Sequence, residues 1–252
     1  MFKKIRYLLL FWLFMLLPSW YASEADKPDE SLSYGIPFQT DLLLSCKGFS
    51  IGYCNFRRQP LWVCYILTAE KLQLPRVRRR NKFMPDPRIL RDPVKPVDYR
   101  RTGFDRGHLV PAADMSYSSL TMKHSFYMSN ISPQLPGCNR GIWKRLEMQT
   151  RKWAIREKRI CVITGPLFTG ESKNMGTSRI TVPNGFYKII LDLTPPHKMA
   201  AFIIPNRATR KRLTSFAVPV DKVEKITGFD FFPGFPGAEE LEKVTEPELW
   251  FK

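Results

Sequence analysis

Several features are scarce or missing in this 252-residue chain, and each absence narrows what it can be. No two of its five cysteines (Cys46, Cys54, Cys64, Cys138 and Cys161) form a C-x-x-C pair, which speaks against a thiolate zinc site. The odd number leaves at least one thiol unpaired within the chain. The longest apolar run falls short of the roughly 20 residues that cross a bilayer. Histidine occurs three times, at His108, His124 and His197. A reaction that needs a base near neutrality therefore has few imidazoles to choose from. No internal repeat and no break in composition divides the chain, so residues 26–252 read as a single domain.

Negative charge is also in short supply. Forty Lys and Arg face 23 Asp and Glu, a net charge of +17. The basic residues cluster at Arg76, Arg78, Arg79 and Arg80, at Arg100-Arg101, and at Arg207 with Arg210-Lys211-Arg212. A polyanionic partner is one reading and a solvated basic surface the other. At the N-terminus, Lys3, Lys4 and Arg6 precede an apolar run at residues 8–17, Pro18 ends it, and Ser23-Glu24-Ala25 resembles a cleavage site. Residues 1–25 therefore read as an export signal, with an uncleaved anchor as the alternative. Either way the expectation is a secreted or periplasmic protein, or a membrane-anchored one facing outward. Membrane contact would be transient, through the signal segment alone.

What is present is strand-rich. Residues 26–34 read as a loose leader. Residues 49–53 and 61–67 read as strands joined by a turn at Arg57-Arg58-Gln59-Pro60, the second apolar enough to be buried on both faces. Cys46 and Cys54 flank a turn at Lys47-Gly48 and could bridge, while Cys64 and Cys161 read as buried thiols. Residues 75–96, with five prolines and many arginines, predict a long basic loop. A short strand ends at His108, residues 114–123 suit a helix, and residues 126–131 could be a strand. A helix should begin near Asn139, because Trp143, Leu146, Thr150 and Trp153 follow it at helical spacing. Residues 160–164, 186–193 and 199–204 read as strands. Asp221 opens a short helix that Gly228 can end, and residues 239–250 read as a terminal helix.

The densest chemistry lies in Gly103-Phe104-Asp105-Arg106-Gly107-His108-Leu109-Val110-Pro111, followed by Ser129-Asn130-Ile131-Ser132-Pro133-Gln134, Cys138-Asn139, Trp143 and Leu146-Glu147. His108 beside a glycine is the candidate base, whereas His124 and His197 read as structural. Asn139 could lend a carbonyl to magnesium, which prefers oxygen and keeps most of its waters; as a residue at a helix start it could equally be an N-cap. Glu147 is either a group that orients water around a metal or an exposed helix charge.

The segment Phe104-Asp105-Arg106-Gly107-His108 resembles the signature of the DNA/RNA non-specific endonucleases, the ββα-metal (His-Me finger) nucleases of the endonuclease G type. The likeness continues through residues 127–134, Asn139, Trp143, Leu146-Glu147, residues 164–168 and residues 182–188, and covers about residues 48 to 230. It implies an α+β fold in which a central, largely antiparallel sheet carries helices and a ββα finger at residues 103–150. It implies a hydrolase that cuts DNA and RNA with little sequence preference and leaves 5′-phosphates. Magnesium, for which manganese can substitute, is the implied cofactor, and no small-molecule cofactor is expected. By position, His108 matches the general base, Asn139 the metal ligand, and Glu147 the acid that steadies the metal's water. Asn130 matches a residue that holds finger and base in place. Asp105 and Arg106 flank the base, Arg106 as a phosphate contact, and Arg79 or Arg80 matches an upstream phosphate-binding arginine. Cys138 departs from the pattern and raises a Cys–His nucleophile as alternative chemistry. The sequon Asn130-Ile131-Ser132 reads as coincidence. The competing class is a non-catalytic binder of nucleic acid or acidic polymer on the same fold.

Overall fold

The computed structural model describes residues 30–79, 81–244 and 247–251. Residues 1–25, read above as an export signal, lie outside them. In chain order the elements are β1 (Leu42–Cys46), β2 (Phe49–Cys54), β3 (Gln59–Thr68), α1 (Ala69–Gln73), β4 (Asp105–His108), α2 (Ser119–Ser125), β5 (Ile131–Gln134), α3 (Lys144–Glu157), β6 (Arg159–Leu167), β7 (Asn174–Met175), β8 (Ile180–Thr181), β9 (Gly185–Asp192), β10 (Met199–Pro205), β11 (Ala217–Val218), α4 (Val220–Thr227), α5 (Ala238–Glu242) and α6 (Pro247–Phe251).

Seven strands form one sheet in the order β1-β2-β3-β6-β9-β10-β11. Every neighbouring pair is antiparallel. The central strands are apolar throughout because both faces are covered, and alternation divides their side chains between two cores. Val63, Tyr65 and Leu67 of β3, Ile160 and Val162 of β6, and Phe186 and Ile190 of β9 face one core. Trp143, Leu146 and Trp153 join them from the helical side, with Trp250 of α6. On the other face Trp62, Cys64, Ile66, Cys161, Ile163, Tyr187 and Ile189 meet Val220 and Val223 of α4 and Ala238 of α5. Burying each large side chain contributes about 1.5–3 kcal/mol, so the two-sided core holds the sheet in one register.

A second, two-stranded sheet pairs β4 with β5 antiparallel, His108 opposite Ile131 and Gly107 opposite Ser132. A widened helical turn at Cys138–Trp143 leads from this hairpin into α3. Hairpin and helix form the expected ββα finger, laid on the first core.

Several local expectations are corrected. The turn between β2 and β3 spans residues 55–58, and Gln59 and Pro60 belong to β3. The first strand, β1, went unread because Ser45 and the short run gave little period. Its register sets Cys46 opposite Phe49, so Cys54 lies at the far end of the hairpin and the Cys46–Cys54 bridge does not form; none of the five cysteines is in a disulfide. Residues 30–34 are not loose: Ser31 is buried and its carbonyl accepts from the Cys64 thiol. Residues 128–130 form a helical turn rather than a strand, and β5 starts only at Ile131. The terminal helix is two short ones, α5 and α6, because proline cannot continue a helix beyond its first turn and Pro247 opens α6. Residues 75–79 and 81–95 do form an irregular stretch, and a helical turn starts at Pro96. It is tied to the finger by Met84 N–H to Phe126 C=O and Met128 N–H to Met84 C=O. Asp86, buried, accepts from Arg88 and Ser129 and fixes the loop's middle.

Candidate active site

The hairpin sets His108 first. Strand alternation puts Arg106 and His108 on one face of β4. The imidazole packs between Phe83 at 5.2 Å and Phe126 at 4.9 Å, and these two rings meet each other edge to face at 5.0 Å. The Arg106 guanidinium lies 4.5 Å over Phe83, and that of Arg79 lies 5.4 Å over Phe126. Both arginines are exposed, so the histidine sits in an aromatic box rimmed by two cations. Its Nε2 is buried without a hydrogen-bond partner. Burial, reinforced by Arg79 and Arg106, lowers its pKa to about 3. The ring is therefore neutral and able to accept a proton. Arg80, the other candidate phosphate contact, lies outside the described residues.

Asn130 does not reach this box. It is fully buried, and its Oδ1 accepts from Val110 N–H while its Nδ2 donates to the Val110 and Ser125 carbonyls. It clamps the chain just beyond His108. The same burial shuts the sequon away. Gly107 is needed for close approach: a Cβ there would stand 2.2 Å from Gln134 Oε1 across the hairpin.

Asn139 lies in the widened turn, where Gly141 leaves helical geometry with φ −103° and ψ −107°. It makes no cap bond to α3. Its Nδ2 donates to Asp105 Oδ2 at 2.9 Å, leaving the side-chain oxygen as its acceptor. Asp105 also takes both prongs of Arg140, at 2.8 and 2.6 Å. Those contacts offset the cost of its partial burial and leave its carboxyl below the usual range. An amide oxygen with a nearby carboxylate is a donor set that fits a hard cation keeping most of its own water. Cys138 is fully buried and its thiol is pushed up to about 12 by burial, so it is not a nucleophile. His124 accepts from Lys47 N–H and His197 contacts the Asp192 carbonyl; both are structural.

Glu147, half-buried in α3, is not a solvated helix charge. Burial raises its carboxyl to about 7, with Lys188 opposing the rise and Asp114 adding to it. Lys188 and Asp114 were not among the residues picked from the sequence. Lys188 projects from the middle of β9, fully buried, its Nζ 4.9 Å over Trp143 and without a hydrogen-bond partner. Burial lowers its pKa to about 8. Asp114, also buried, accepts from Arg151 at 2.7 Å and from Tyr65 Oη at 3.0 Å. The signal for Lys188 was there to read: one lysine inside an apolar strand of eight buried residues.

The family model for DNA/RNA non-specific endonucleases matches residues 27–238. The chain is 30% identical over 247 residues to the mitochondrial nuclease EXOG of Mus musculus, covering 88% of this chain and 67% of that one. It is 30% identical over 231 residues to the human protein of that name, covering 84% of this chain and 62% of that one. Thus it spans about two thirds of the length of these mammalian relatives. The mitochondrial nuclease of Saccharomyces cerevisiae is 30% identical over 237 residues, with 84% of this chain and 72% of that one covered. A chain from the crystal structure of an EndoG/EndoGI complex superposes with a TM-score of 0.77 at 30% identity, over 81% of this chain and 91% of that chain. The mouse, human and yeast relatives are mitochondrial by name, which overturns the expectation of a secreted, periplasmic or outward-facing protein. Positive charge ahead of an apolar run addresses a segment to a membrane without saying which membrane. With its α+β fold, antiparallel sheet and histidine finger, the chain belongs to the DNA/RNA non-specific endonuclease family and is, with that family, a metal-dependent nuclease.

Proposed function

We propose that this nuclease hydrolyses DNA and RNA phosphodiester bonds with little sequence preference, using magnesium, and leaves 5′-phosphate ends. The observation that carries the reading is the neutral His108 held between Phe83 and Phe126 under Arg79 and Arg106. Arg79 and Arg106 bind the backbone phosphate. Their charge is then balanced by the substrate, which removes part of what depresses His108 and lifts the imidazole back toward its ordinary range. His108 takes the proton from the attacking water. Asn139 would hold the ion through its amide oxygen, and Glu147 would steady its hydration. Magnesium, or manganese in its place, would supply charge neutralisation at the phosphate and the leaving 3′ oxygen. Asp105 orients Asn139 by taking its Nδ2. Contacts to backbone rather than base edges account for the lack of sequence preference. The mitochondrial relatives support a mitochondrial location for this chain, which fractionation of expressing cells tests; recovery in the culture medium would refute it.

The decisive test is digestion of supercoiled plasmid and of RNA by the full chain with magnesium, with EDTA, and by His108→Ala. Removing a general base should cost about 10²–10⁴-fold in kcat, with retention of DNA in a gel unchanged. Turnover by His108→Ala at the parent rate would remove His108 as the base.

A further inference from the structure

On the face of the sheet away from the finger, a chain rich in lysine and arginine gathers carboxylates. Asp221 and Glu224 sit three residues apart on α4, and Glu242 ends α5. One oxygen from each lies within 4.8 Å of the other two. Glu242 is 2% exposed, and its Oε1 is buried with no hydrogen-bond partner. Glu224 is oriented by the Phe231 N–H, which donates to its Oε1 at 2.7 Å. Among the described residues, no lysine or arginine forms an ion pair with any of the three.

Such a cluster is unfavourable as it stands. The charges acting on Glu242 come from Glu224, Glu239, Asp230 and Asp221, all of one sign. A proton on Glu242 would relieve one repulsion, but it would leave the other buried oxygen without a partner. A cation among the three would take one oxygen from each carboxylate. The donors are all oxygen, which disfavours zinc. Three carboxylates able to bind through one or both oxygens suit an ion that takes 6–8 ligands in flexible geometry, whereas magnesium demands an octahedron and keeps its waters.

We propose that Asp221, Glu224 and Glu242 form a second cation site, taking calcium, that ties α4 to α5 on the back of the sheet. Because α4 and α5 pack on the second core through Val220, Val223 and Ala238, the ion's role is to hold that layer in place. It is separate from the Asn139 site.

The test is calorimetric titration of the chelator-treated full chain with calcium chloride and with magnesium chloride, paired with thermal unfolding. The wild-type chain and Asn139→Ala should each bind one calcium here and gain a few degrees in Tm. Asp221→Asn, at an exposed position, and Glu242→Gln should each weaken calcium binding by about tenfold or more, with plasmid cleavage in magnesium unchanged. Should Glu242→Gln fail to fold, Asp221→Asn carries the test. Calcium binding that disappears in Asn139→Ala, or that is undiminished in Asp221→Asn, would overturn the proposal. So would an absence of binding heat and of any Tm change at millimolar calcium.

Discussion

Lys188 stands in the middle of β9 with its ammonium buried over Trp143, facing Glu147 and Asp114 from below. A lone buried cation is costly; here two carboxylates and a ring face compensate it. Its effect on the site runs through Glu147, whose carboxyl it holds down against burial. Lys188→Met should therefore raise the Glu147 pKa above about 7, moving the acidic limb of the pH–rate profile upward. Stability should fall as well. With the ammonium gone, Glu147 loses the largest charge that offsets its burial when ionised, and protonation relieves it, whereas Asp114 keeps Arg151. The loss should be about 3–5 kcal/mol at pH 8 and distinctly smaller at pH 5.5. Denaturant unfolding at the two pH values checks the sign; an equal loss at both would mean the lysine serves packing alone. His108 was legible in the sequence because glycine, arginine and aspartate surround it within five residues. The grouping of Lys188 with Asp114 and Arg151 was not, because the three are far apart in the chain and meet only where α3 crosses the sheet.

At the level of the element, the finger depends on how closely β4 and β5 approach. Gly107 faces Ser132 in register, and the Gln134 side chain fills the space where a Cβ would stand. Both polar atoms of that Gln134 side chain are buried without partners, so the glutamine is held by shape. Gly107→Ala should force the strands apart, displace His108, and cost about 1–3 kcal/mol together with most of the activity. Gly107→Ala combined with Gln134→Ala should recover part of both, since the obstructing atoms are then gone. A double-mutant cycle measured by thermal unfolding and plasmid cleavage tests this; additive losses would refute the contact. The strand ending at His108 was readable, but its partner was read at residues 126–131 instead of β5, and the widened turn at residues 138–143 was not read. A stripe of apolar residues gives the period of the helix that follows and says nothing about Gly141, whose backbone breaks that period and turns Asn139 toward Asp105.

For the whole molecule, charge governs substrate binding. A net charge of +17 predicts affinity for any polyanion, but the arginines differ in placement. Arg88 is spent inside, on Asp86, and Arg151 on Asp114. Arg79 and Arg106 are exposed at the rim of the histidine box. Replacing both with glutamine should flatten the plot of log K for duplex DNA against log salt by about 2, at roughly 0.9 per phosphate contact. An unchanged slope, measured by fluorescence anisotropy with EDTA present to prevent cleavage, would place the phosphates elsewhere.

Composition and pattern by themselves determined the charge, the strand-rich body, the histidine segment and the stripe of α3, because each is written in neighbouring residues. They also determined that β3 is buried on both faces, since an uninterrupted apolar strand has no other stable place. Which atoms surround His108, where the Asn139 amide points, and why Glu147 is held near neutrality were decided by the tertiary structure alone. Desolvation and Coulomb interaction depend on distance through space, and only the folded sheet brings residues 79, 108, 114, 147 and 188 within reach of one another.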